Sequence, residues 1–261
     1  MPMFTASDGC ALHYTFDGDS GRPILLLSNS LGSTIDMWAP QVPALTQHFR
    51  VLRYDNRGHG ASDVPAGPYT MERIALDAKE LIEGLEIGPV AFCGLSLGGM
   101  VGMWLGANAP QLLTRAVLAN TSAYFGQPEL WNQRIALIEN EGMQAAAEGV
   151  VQRWLTSEFM RNDPAAAAKC LAMVAGIAPS GYVAAAVAVR DMDLREALPN
   201  IPIPVLVIAG ALDPATPPVM AEAIVETVPN ARLAILDAAH LSNIEKADEF
   251  NSLIMSFLAQ D

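Results

Sequence analysis

Residues 89–98 read Pro89-Val90-Ala91-Phe92-Cys93-Gly94-Leu95-Ser96-Leu97-Gly98. An apolar run of strand type leads into Gly-x-Ser-x-Gly, and a helix-forming run, Gly99 to Ala109, follows. That order predicts a sharp strand-to-helix turn with a serine at its apex, held clear of the sheet in a strained backbone conformation. Glycines two residues before and two after the serine let strand and helix approach closely. Ser96 is the candidate nucleophile; the alternative is an ordinary glycine-rich turn.

Working outward, apolar runs alternate with helical patterns. This predicts the α/β class: a mostly parallel sheet flanked by helices. The predicted strands are Ala11–Phe16, Ile24–Ser28, Val51–Tyr54, Val90–Cys93, Ala116–Ala119, Val205–Ala209 and Leu233–Leu236. The central ones are continuous apolar runs, as strands covered on both faces should be. Predicted helices are Met37–Thr46, Thr70–Leu85, Ser96–Ala109, Pro217–Thr227 and Lys246–Leu258, with Asp36 and Thr70 as N-caps. From about Ser122 to Leu194 no strand is predicted. Ala, Met, Glu and Arg at helical spacing there indicate a helical insertion, a lid over the carboxyl edge of the sheet. The expected organisation is a discontinuous core, residues 1–121 and 195–261, with a lid at 122–194. The stretch Pro199–Pro204 returns the chain as a stiff extended linker.

Composition narrows the partners. The chain has 261 residues, 51% hydrophobic and 16% charged, enough apolar content for a sizeable core. No apolar stretch approaches the ~20 residues of a membrane span. The first residues lack the basic and apolar regions of a signal peptide. Cys10, Cys93 and Cys170 are widely spaced, with no CxxC pair, and suggest a reducing compartment. A cytoplasmic location is expected, and the sequon Asn120-Thr121-Ser122 carries little weight there. A formal net charge of −13 argues against nucleic acid and anionic membranes as partners. An anionic substrate would need a local cation.

A serine hydroxyl needs a base to take its proton. The four histidines are His13, His48, His59 and His240. Only His240 follows the last predicted strand, on the same sheet edge as Ser96, and it is the candidate base. Its orienting carboxylate is Asp213, just after strand Val205–Ala209, in the chain order Ser, Asp, His. Asp237 competes, but three residues from His240 it would more readily brace the loop. Two backbone N–H groups should receive the developing oxyanion: that of Leu97, and one from Asn29-Ser30-Leu31-Gly32, with Leu31 the choice. Alternatively, Asn29 or Ser30 contributes its side chain. Asp55-Asn56-Arg57-Gly58-His59-Gly60-Ala61-Ser62 reads as structural, its arginine and aspartate bracing the loop beside the serine turn. Trp38 reads as packing.

Together these residues resemble the α/β-hydrolase fold over almost the whole chain. Within it, three segments resemble 3-oxoadipate enol-lactonases. They are Leu27–Gly32 with Asp36-Met37-Trp38, the turn Asp55–Pro65 continuing through Gly67-Pro68-Tyr69, and Cys93–Gly102 with Trp104-Leu105-Gly106. Asn29-Ser30-Leu31-Gly32 discriminates most, because many relatives have His-Gly there; Asn56 replaces a frequent threonine. The resemblance implies hydrolysis of 3-oxoadipate enol-lactone, a small-molecule substrate, with no cofactor and no metal. That substrate carries a carboxylate, so a cation is expected in the lid. Of Arg134, Arg153, Arg161, Lys169 and Arg190, Arg134 is the choice, sharing a helix face with Trp131. Trp131 and Trp154 are expected as pocket walls; the alternative is a surface arginine with two core tryptophans. Rival readings are a broad carboxylesterase or cofactor-free perhydrolase, an acyltransferase, and a non-catalytic receptor for a small ligand. Ser96 counts against the dehalogenases and epoxide hydrolases of this fold, which use an aspartate at that turn.

Overall fold

The apolar runs become the middle of an eight-stranded sheet. The computed structural model describes residues 1–126 and 128–259. Its strands are β1 Met3–Thr5, β2 Ala11–Asp17, β3 Ile24–Ser28, β4 Arg50–Tyr54, β5 Val90–Leu95, β6 Leu113–Ala119, β7 Val205–Gly210 and β8 Ala231–Leu236. They lie in the order β1-β2-β4-β3-β5-β6-β7-β8. β1 and β2 pair antiparallel, as do β2 and β4; every later pairing is parallel. β5 and β7 are buried along their whole length, and Leu25, Leu26 and Leu27 of β3 are fully buried. Burial from both sides explains why these strands read as unbroken apolar runs, each buried Val, Leu, Ile or Phe side chain contributing about 1.5–3 kcal/mol.

Parallel register decides where the loops emerge. Ser28 pairs with Gly94, Leu95 with Ala119, Ala119 with Ile208, and Gly210 with Leu236. The carboxyl ends of five strands therefore share one edge. The loops after them carry residues 29–32, Ser96, Asn120, Asp213 and His240. In open α/β sheets this edge is where ligands bind.

Local expectations differ from the structure in four places, the first being that the stretch expected to be extended, Pro199–Pro204, opens in a 3-10 turn, Leu198–Asn200. The predicted helix Met37–Thr46 is two short pieces, a 3-10 turn Ile35–Trp38 and an α-turn Val42–Leu45, because Pro40 and Pro43 interrupt the backbone ladder. Asp36 does not cap the first piece; the Thr34 side chain accepts the Asp36 N–H. β1 has only three residues and no alternation to signal it. By contrast, Thr70 caps helix Met71–Gly84, accepting the Arg73 N–H at 3.1 Å.

Residues 122–194 contain helices Pro128–Trp154, Ser157–Asn162, Pro164–Ala175 and Pro179–Asp191. An isolated antiparallel bridge, Tyr124 to Asp193, closes the neck of this segment. The first helix is broken at Gly142, whose φ of 78° and ψ of 178° are open essentially to glycine alone. Among the described residues no single helix is long and apolar enough to cross a membrane.

Candidate active site

Ser96 sits between β5 and helix Leu97–Asn108 with φ 57° and ψ −112°. A positive φ in a non-glycine residue stores about 1–3 kcal/mol of strain, tolerated only where neighbours over-determine the backbone. Here they do. The Ser96 N–H donates to the Ala119 carbonyl at 2.9 Å, and the Thr121 hydroxyl donates to the Ser96 carbonyl at 2.7 Å. The flanking glycines are sterically required. A β-carbon on Gly94 would collide with the Gly98 carbonyl, and one on Gly98 with the Ser28 carbonyl.

His240 and Asp213 meet on the loops after β8 and β7. His240 Nδ1 donates to Asp213 Oδ2 at 2.8 Å, with both side chains almost wholly buried. Burial raises the Asp213 pKa. The His240 charge and hydrogen bonds from His240, Thr216 and Asn120 outweigh it and bring the value down from 3.8 to about 2. Two donors reach Oδ1, the N–H groups of Ala215 at 2.8 Å and Thr216 at 3.0 Å. Three reach Oδ2: the Thr216 hydroxyl at 2.6 Å, Asn120 Nδ2 at 3.0 Å and His240 Nδ1. Asp237 is exposed and takes no part in this cluster.

Ser96 and His240 line one cavity of about 280 Å³ with Leu31, Trp131, Arg134, Arg153 and Trp154. Arg134 stacks on Trp131, its guanidinium carbon 4.7 Å from the ring centroid. Trp154 is buried and Trp131 half-buried. Among the described residues no cluster of three histidine, cysteine, aspartate or glutamate side chains could hold a metal ion.

The loop after β3 has two of its amides engaged. Ser30 N–H is engaged by Met37 Sδ at 3.3 Å, and Gly32 N–H by His59 Nε2 at 3.0 Å. Among the described residues no bond engages Leu31 N–H. Leu97 is the first residue of its helix, where N–H groups have no intrahelical acceptor. The Asn29 side chain is turned away, its oxygen accepting from Trp38 Nε1 at 2.9 Å and its nitrogen donating to the Tyr54 carbonyl at 2.8 Å. Trp38 therefore packs and also orients this loop.

The turn after β4 braces the loop after β3, but not through its arginine. Arg57 points away, bidentate to Asp77 at 2.6 Å on both arms. Asp55 accepts from His13 Nδ1 at 2.8 Å and from the Ile35 N–H at 2.9 Å. Reaching residues 29–32 falls to His59 and Asn56, whose Nδ2 donates to the Asn29 carbonyl at 3.3 Å. His59 Nδ1 lies 3.1 Å from the Arg57 carbonyl, which only accepts, while Nε2 receives an N–H. Its tautomer is thereby set, and burial, the dominant influence, holds its pKa below the ordinary histidine value.

Sequence reasoning missed Asn120, Thr216 and Glu245. Asn120 directly follows β6 on the carboxyl edge of the sheet with φ 44°, bonded to Asp213 and to the Ser242 hydroxyl. Buried and so engaged, it is no glycosylation acceptor. Its place at a parallel strand end was the available signal, as was the three-residue spacing of Thr216 from Asp213. Glu245 accepts both the N–H and the hydroxyl of Thr156 at 2.6 Å, and its other oxygen accepts the Ala239 N–H. Nothing local signalled that link.

A family model described as the alpha/beta hydrolase fold matches residues 23–247. The chain belongs to the α/β-hydrolase fold family. It is 36% identical over 260 residues to 3-oxoadipate enol-lactonase 2 of Acinetobacter baylyi, covering 97% of each chain. The enol-lactonase structure from Burkholderia xenovorans LB400 superposes with TM-score 0.97 at 41% identity, over 99% of this chain and 100% of that one. A thermophilic esterase from Thermogutta terrifontis, solved with malate bound, gives TM-score 0.90 at 30% identity, over 98% of this chain and 97% of that one. This α/β-hydrolase is a hydrolytic enzyme.

Proposed function

We propose that this α/β-hydrolase opens 3-oxoadipate enol-lactone to 3-oxoadipate, a step in the breakdown of aromatic compounds by way of protocatechuate or catechol. Ser96 Oγ attacks the lactone carbonyl while His240 Nε2 takes its proton. Asp213 holds the imidazole through Nδ1 and stabilises the imidazolium. The N–H groups of Leu31 and Leu97 receive the oxyanion. Collapse breaks the ring C–O bond and expels an enolate, a better leaving group than an alkoxide. Protonation by His240 and tautomerisation give the ketone. Water, deprotonated by His240, then cleaves the acyl-Ser96 ester and releases the second carboxylate. Arg134, stacked on Trp131, binds the carboxylate the substrate already carries, and Trp154 supplies a wall.

The observation that carries this reading is the joining, in one cavity, of the Ser96–His240 chemistry with an arginine lacking a carboxylate partner among the described residues. A broad esterase would not need that cation. The 30% identity to an esterase favours this second reading. Turnover of the carboxylated enol-lactone against γ-butyrolactone separates the two. A strong preference for the enol-lactone, abolished by Arg134→Ala, is expected; equal turnover would make the protein a broad esterase.

A further inference from the structure

The lining of the cavity beside Ser96 includes two arginines, Arg134 and Arg153, and among the described residues no aspartate or glutamate. Elsewhere Arg53, Arg57, Arg73, Arg190 and Arg195 each have an aspartate or glutamate oxygen within salt-bridge distance. Among the described residues neither cavity arginine has one. With a net charge of −13, acidic side chains are abundant. Two arginines without a carboxylate partner among the described residues thus line one small cavity, Arg134 stacked on Trp131. Burial and the charge of Arg134 both weigh against the protonated form of Arg153. Two like charges held close in a half-buried space are costly without a counter-charge.

The two arginines come from different arms of the insertion. Arg134 precedes the break at Gly142 and Arg153 follows it. The later arm is tied to the loop bearing His240. Leu241 N–H donates to the Trp154 carbonyl at 2.9 Å, and Glu245 links Thr156 to the Ala239 N–H. Arg153, next to Trp154, is thus registered against the catalytic loop, while none of these bonds reaches the arm carrying Arg134.

We propose that Arg153 is a second specificity-determining residue: with Arg134 it clamps the carboxylate arm of an anionic lactone or ester across the Gly142 break. A carboxylate offers two oxygens, enough for one guanidinium each. The registered arm sets how far that carboxylate lies from Ser96, and so centres the scissile carbonyl. The inference rests on the reading of Ser96 as nucleophile and of the substrate as an anion.

The test compares the wild-type protein with Arg153→Ala, Arg153→Lys and Arg134→Ala. Two substrates are used, the carboxylated enol-lactone and p-nitrophenyl acetate, with glutarate as a competitive inhibitor of the second. Arg153→Ala is expected to lower the kcat/KM ratio between anionic and neutral substrate at least tenfold, chiefly through KM. It should weaken glutarate inhibition at least tenfold, and Arg153→Lys should restore part of both. An equal fall on both substrates would indicate only structural support and overturn the proposal. So would an unchanged ratio, or a wild-type protein that glutarate does not inhibit. Failure of the enol-lactone itself, with glutarate inhibition still dependent on Arg153, would overturn the proposed substrate and leave the anion clamp standing.

Discussion

Replacing Asp213 by asparagine changes one atom's chemistry in a site built for a carboxylate. All groups around Asp213 donate: two N–H groups to Oδ1, and the Thr216 hydroxyl, Asn120 Nδ2 and His240 Nδ1 to Oδ2. An asparagine oxygen can satisfy the Oδ1 pair. Its NH2 group then faces Asn120 Nδ2, donor against donor, at a cost of about 1–3 kcal/mol. The NH2 group also donates to His240 Nδ1, which forces the proton onto Nε2 and removes the base facing Ser96. Turnover of p-nitrophenyl acetate is expected to fall about 10³- to 10⁴-fold. Stability carries an independent signature. The Asp213 pKa is about 2 in the folded state against 3.8 ordinarily. At roughly 1.4 kcal/mol per pKa unit this is worth about 2.5 kcal/mol, most of it lost by pH 2. Because the folded value is depressed, the contribution is complete above 3.8 and is lost as pH falls through about 2. Urea midpoints measured from pH 6 to pH 2 should therefore show the stability gap between wild type and Asp213→Asn narrowing by about 2 kcal/mol as the solution is acidified. A variant within tenfold of wild-type activity, or a gap that does not narrow, would refute the reasoning.

Three other variants probe the surrounding framework. His59→Ala releases the Gly32 N–H and loosens the loop presenting Leu31 N–H; kcat should drop about 10- to 100-fold with KM little changed, read by steady-state kinetics. Thr216→Val removes the hydroxyl 2.6 Å from Asp213 Oδ2 and should cost about 1 kcal/mol at pH 7, measured by urea titration, with the Asp213 pKa moving back toward 3.8. At Gly142 an added β-carbon meets no atom within 4 Å, so Gly142→Ala isolates the backbone cost; thermal melting should report a loss of about 1–3 kcal/mol.

The sequence by itself determined the α/β class and the positions of seven of the eight strands, because strands buried on both faces need continuous apolar runs. It also located the serine turn, since a glycine at each end is the only way strand and helix can close so tightly around Ser96. It placed Asp213 and His240 at strand ends, because in a parallel sheet every such end falls on the same edge. Only the tertiary structure decided what surrounds them. The Asn120 bond to Asp213 spans 93 residues and its bond to Ser242 spans 122; the Glu245 link to Thr156 spans 89. Periodicity and turn chemistry act over a few residues, so no pattern in the chain encodes those pairings. The same holds for the two cavity arginines. Their lack of carboxylate partners among the described residues is a property of the folded cavity, where Arg134 and Arg153 meet from opposite sides of a glycine break.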